Sequence, residues 1–198
     1  FKSIEGSLGR LRQRIFNLQN LFATLGAGFV IKSFINVGSE VENLRLRFNF
    51  LFGDVKEGQK AFQGLVNFAS KVPFTLQEIA QASGNLAVVS KDAKELERNL
   101  KIAGNVASVT GLDFRTVGEQ LQRSFSGGIA AADLFRERGV RALLGFKNGA
   151  TVTAEETVEK FNEIFGRGGK FGDASKVLST TFTGTLSMLG DKLFNFKK

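Results

Sequence analysis

Asp54 with Glu57, Thr75 with Glu78, Asp92 with Glu95, and Thr153 with Glu156 each set a residue able to cap the start of a helix three positions before a glutamate. At that spacing the capping oxygen and the carboxylate can satisfy backbone N–H groups that a helix leaves without partners at its N-terminus. Behind each pair, apolar or small residues recur at steps of three and four, the period of one helix face. The stripes are Phe62, Leu65, Val66 and Ala69; Leu76, Ile79, Ser83 and Leu86; Ala93, Leu96, Leu100, Ala103 and Ala107; and Val158, Phe161, Ile164 and Phe165. Asp113 opens a further stripe of Phe114, Val117, Leu121 and Phe125. No stretch alternates at period two for long enough to predict a strand. The expected fold class is all-α.

Stop signals fall between the stripes. The only proline, Pro73, pushes Val72 out of the helical region and should end the helix before it. Gly111 is placed as a left-handed C-terminal cap, and Ser126-Gly127-Gly128 ends the helix after it. Ile129 to Phe135 reads as a short apolar turn or helix. In the basic segment Arg136 to Gly145, Leu143, Leu144 and then Phe146 are expected to tuck in, while Arg136, Arg138 and Arg141 stay wet. Gly166-Arg167-Gly168-Gly169-Lys170 is the most flexible-looking linker in the chain.

The ends read as rods. Leu8, Leu11, Ile15, Leu18, Phe22, Leu25 and Phe29 step by alternating threes and fours, a coiled-coil seam at its lower length limit. Gly26 and Gly28 weaken that helix by roughly 1 kcal/mol each relative to alanine. The seam serves either self-association or packing on its own domain. Val41, Leu44, Phe48 and Leu51 continue a helical stripe after Gly38-Ser39. At the other end Phe182, Leu186, Leu189, Leu193 and Phe196 begin a second rod. The organisation expected is an N-terminal long helical segment over 1–53, a compact domain of short helices over 54–165, and over 166–198 a glycine-rich linker with the start of a further helix. Longer coiled-coil-like helices thus flank the compact centre. With no initiator at Phe1 and a C-terminus in mid-pattern, a longer parent protein is expected.

Composition narrows the chemistry. The chain has no Cys and no His, which removes disulfides, thiolate nucleophiles, zinc-finger sites and histidine acid–base work. It has 21 Phe without any Tyr or Trp, rings suited to dry helix contacts because they carry no polar tip. The net charge of +8 is spread along the sequence with no single patch, which fits general attraction to a polyanion and a solvated surface alike. The most apolar run, Leu21 to Val37, is interrupted by Lys32 and Asn36 and falls short of the ~20 apolar residues of a membrane span.

The remaining candidate motifs read as structure. Gly166 to Lys170 superficially resembles a phosphate loop, but a helix precedes it and Phe171 follows the lysine where Ser or Thr is needed. Glu155, Glu156, Glu159 and Glu163 sit in and after the first turn of a helix, where acids favour the dipole. Asp133 with Arg136, Glu137 and Arg138 reads as surface ion pairs, worth ~0–1 kcal/mol each. No nucleophile–base pair is present, so the chain is expected not to be an enzyme, with no catalytic, cofactor or metal residues.

The central stretch resembles the tape measure proteins of tailed bacteriophages. The resemblance runs through Val72-Pro73-Phe74-Thr75 and the short helix to Leu86. It continues along the helix through Leu96, Leu100 and Ala107 into Thr110-Gly111-Leu112. It then takes in Val117 to Phe125 with Ser126-Gly127-Gly128, Asp133 to Val140, and Thr183 to Leu189, about three-quarters of the chain. The resemblance implies a structural virion protein that occupies the tail tube lumen, sets tail length during tail assembly, and is released at genome ejection. It implies homo-oligomers of parallel copies, contacts with tail tube and tail hub or tip proteins, transient contact with the host membrane, and weak or indirect contact with DNA. Localisation would be the phage tail, and the host cytoplasm during assembly. The rival functions are a membrane-active or DNA-channel-forming helical protein in genome ejection, and a cellular helical scaffold.

Overall fold

The computed structural model describes residues 38–74 and 76–181. The two heptad seams, 8–29 and 182–196, and the Thr75 cap lie outside the described residues, as does the Thr183 to Leu189 part of the resemblance. Among the described residues there are helices and turns and no strand, so this part of the chain is all-α. The helices are α1 (Gly38–Phe52), α2 (Val55–Ala69), α3 (Leu76–Val88), α4 (Ala93–Thr110) and α5 (Phe114–Gly127). A single 3-10 turn (Ile129–Ala131) leads into the short helices α6 (Asp133–Glu137) and α7 (Val140–Leu143), followed by α8 (Ala154–Phe165). Residues 174–181 are again helical.

The caps explain the starts. Thr153 and Glu156 form a full reciprocal box on α8, with Oγ1 accepting from the Glu156 N–H at 3.1 Å and the Glu156 carboxylate accepting from the Thr153 N–H at 2.9 Å. Asp92 accepts from the Glu95 N–H at 2.7 Å, but the Glu95 carboxylate takes the Lys91 N–H instead. On α2, Asp54 accepts from the Lys56 N–H, and Glu57 leaves its own cap altogether. Its Oε1 accepts from the Ala93 N–H at 3.1 Å, so this carboxylate caps the start of α4, on another helix. Glu57 also holds the exposed Lys60 amine above its ordinary pKa through their hydrogen bond.

α4 lies at the centre, packed on α2, α3, α5 and α8. Residues Ile102 to Ala107 are buried without interruption, so the helix is enclosed on all sides there. Small residues make this possible, and the same device joins α3 to α5 in an extensive helix contact. Gly118 on α5 sits directly on Ala82 of α3: a Cβ at position 118 would come within 2.6 Å of the Ala82 Cβ.

Most ring contacts among the described phenylalanines fall into two clusters, apart from the pair Phe48 and Phe52. Phe114 meets Phe68 at 5.6 Å and Phe74, from the proline loop, at 4.9 Å between ring centroids. Phe161 gathers Phe125, Phe135 and Phe165, and Phe165 passes the contact on to Phe171. α1 adds Leu44 and Phe48 to the buried set, and its Arg47 guanidinium lies over Gly84 of α3.

Three expectations need correction. Arg141 is buried, not wet: Nη2 donates to the Lys147 carbonyl at 3.0 Å and the same guanidinium to the Ala150 carbonyl at 2.5 Å. The left-handed Gly139 (φ 74°) breaks the helix between Arg138 and Arg141, so the two arginines belong to differently oriented elements. Leu143 and Leu51 are exposed while Leu144 is buried, because α7 is a single turn with little inner face and α1 buries only one narrow stripe. Finally, the glycine-rich segment 166–170 is folded against the core. The Phe171 N–H donates to the Ile164 carbonyl at 2.9 Å, the Gly169 N–H to Gly166, and the Gly172 N–H to Gly169. A side chain at Gly169 or Gly172 would run into the backbone of α8 or of Gly166, so glycine here permits close packing.

Candidate groove

The segment that looked like a linker forms one wall of a groove of about 590 Å³. α4 supplies the opposite side, and the end of α2 with the loop after it adds Phe68, Lys71 and Val72 to the lining. The wall is held by one buried amide. Asn105 Nδ2 donates to the carbonyls of Phe165 and Gly172 at 2.8 and 2.9 Å, and its Oδ1 accepts from the N–H and the hydroxyl of Ser175, both at 2.9 Å. All four hydrogen-bonding positions of the amide are therefore filled, as burial of so polar a group requires.

The floor is apolar, made by Phe68, Val72 and Ile102. The rim is cationic. α4 contributes Lys94, Arg98 and Lys101 along one flank, Lys71 comes from the turn after α2, and Arg167 and Lys176 from the wall. Against these six stand two carboxylates, Glu97 and Asp173. Lys101 is paired with Glu97 at 2.6 Å and Arg98 with Glu95 at 3.6 Å. Lys71, Lys94, Arg167 and Lys176 make no ion pair among the described residues. The even spread of charge along the sequence thus gives way to a local concentration in the fold. Its visible trace in the sequence is the 94, 98, 101 spacing on one helix; the other cations come from distant positions.

The other candidate residues stay apart from this groove's chemistry. Asp133 pairs with Arg136 at 3.1 Å on the surface, as the sequence suggests. Of the α8 acids, Glu156 closes the cap and Glu163 pairs with Lys160 at 2.6 Å. No group of three or more Asp or Glu among the described residues could hold a metal ion. No helix among the described residues is long and apolar enough to cross a membrane. Comparison with protein-family models, curated proteins and solved structures finds no match to this chain.

Proposed function

We propose that this chain is a structural segment of a phage tail tape measure protein, and that its helical domain acts as an anchor near one end of the tail while flanking helical segments set length. The observation that carries this reading is where the resembling residues lie. Many of them carry the fold: Phe74 packs against Phe114, Leu96, Leu100 and Ala107 form the buried side of α4, and Gly111 is the left-handed cap of that helix. Val117, Phe135 and Val140 are fully buried as well. A packed domain of this kind is a poor ruler, because length along a tube scales with residue number only in an extended helix, at ~1.5 Å per residue. Its use in such a protein is to hold on.

The chain has no cysteine, so a single one placed at exposed Lys91 can carry a gold label. Electron microscopy of labelled tails should then show gold at one end. Label distributed along the tube, or absent from tails, would sink the anchoring reading.

A further inference from the structure

We propose that the groove between α4 and the 166–176 wall docks an acidic, amphipathic helical segment of a partner protein. The charge of the rim selects the acid: six Lys or Arg face two carboxylates, and four of the cations have no ion pair among the described residues. Val72 is half-buried while Phe68 and Ile102 are 7% and 1% exposed, so the apolar surface open to a ligand is Val72 with the aliphatic stems of the surrounding Lys and Arg, which suits an amphipathic partner. The geometry suits a helix. Lys94, Arg98 and Lys101 lie on one flank of α4 and rise by roughly 10 Å at 1.5 Å per residue. A partner helix with Asp or Glu at the same three- and four-residue spacing presents its carboxylates at the same rise.

A nucleic-acid strand fits the same rim less well. Single-strand binding relies on open ring faces for base stacking. The aromatic side chain in this floor, Phe68, is only 7% exposed and packed on Phe114. The inference rests on the anchoring role above only in that an anchor must hold something. The preference for acid comes from the groove's own side chains.

The test is fluorescence anisotropy on the purified chain. The probe is a labelled synthetic helix of about 12 residues, Leu and Phe on one face and Glu on the flanks, long enough at ~1.5 Å per residue to span the rise from Lys94 to Lys101. The Glu peptide should bind, weakening as salt rises. Its Gln counterpart should bind at least about tenfold more weakly. Lys94→Glu with Arg98→Glu, and separately Lys71→Glu with Lys176→Glu, should abolish binding while circular dichroism melting stays unchanged. Absence of binding, equal binding of the Glu and Gln peptides, tighter binding of a single-stranded oligonucleotide of equal charge, or undiminished binding by the two charge-reversed chains would overturn the proposal. Peptide binding that is lost in Lys94→Glu with Arg98→Glu, together with normal tails from the same variant, leaves the docking site standing and removes the anchoring role.

Discussion

Asn105 and Ser175 are separated by 70 residues and joined by two hydrogen bonds, backbone N–H and hydroxyl both donating to the same amide oxygen at 2.9 Å. Through this pair the central helix α4 holds the segment after α8 in place. Asn105→Ala strips four groups of their partner at once. The expected loss is about 3 kcal/mol, since a buried polar group left unpaired costs roughly 1–3 kcal/mol and water can reach part of this site. Urea denaturation reads the stability, and hydrogen exchange should show residues 166–176 opening before the rest of the domain.

The contact between Gly118 and Ala82 sets how closely α5 approaches α3. Alanine is the better helix former by about 1 kcal/mol, yet Gly118→Ala should destabilise by roughly 1–3 kcal/mol because neither backbone can give way. Gly64 in α2 is the control. Its nearest neighbour for a new Cβ is the flexible Glu97 side chain at 4.0 Å, so Gly64→Ala should stabilise by up to about 1 kcal/mol. Thermal melts of the two variants should move in opposite directions.

Arg141 ties α7 to the 147–150 turn with its planar fork. A lysine has one point charge and cannot serve both carbonyls in the same geometry. Arg141→Lys is expected to lose about 1–2 kcal/mol and Arg141→Ala about 2–3 kcal/mol, given that hydrogen bonds to charged groups are worth ~1.5–3 kcal/mol. Proteolysis within residues 145–152 should accelerate in the same order.

Asp113 gives the fold an acid-sensitive cap. Partial burial pushes its pKa up, but hydrogen bonds from Thr116 and the nearby Arg115 outweigh that, and the carboxyl ends below its ordinary value of 3.8. A group with a lowered folded-state pKa stabilises the fold above its unfolded pKa and loses that contribution as pH falls through the folded value. Stability should therefore decline below about pH 4. Asp113→Asn should flatten that part of the profile, and Asp113→Ala should cost about 1 kcal/mol at neutral pH. Denaturation midpoints from about pH 2 to pH 6 check both.

The helices were legible in the sequence because their signals are local. Asp92, Asp113 and Thr153 cap where their spacing to the next apolar stripe says they should, and Ile79, Leu96, Leu100, Val117 and Leu121 are all buried. What escaped depends on contacts between distant residues. Glu57 has the spacing of a local cap, but its partner is Ala93. Arg141 stands among wet arginines in the sequence, and only the turn at Gly139 swings it inward. Glycine has no side chain to report whether it frees the backbone or admits a neighbour, so 166–170 reads as a flexible linker although Asn105 bonds to Phe165 and Gly172 on either side of it. The groove is invisible for the same reason: its cations converge from positions 71, 94–101, 167 and 176.

The most direct test of the central claim is tail length after a deletion inside the domain. Removing about 50 residues from α3 to α5 in the full reading frame and imaging the virions distinguishes an anchor from a ruler. An anchor predicts tails that fail to assemble or lose length control. A measured rod predicts normal tails shorter by about 75 Å, at ~1.5 Å per residue, and that result would contradict the account.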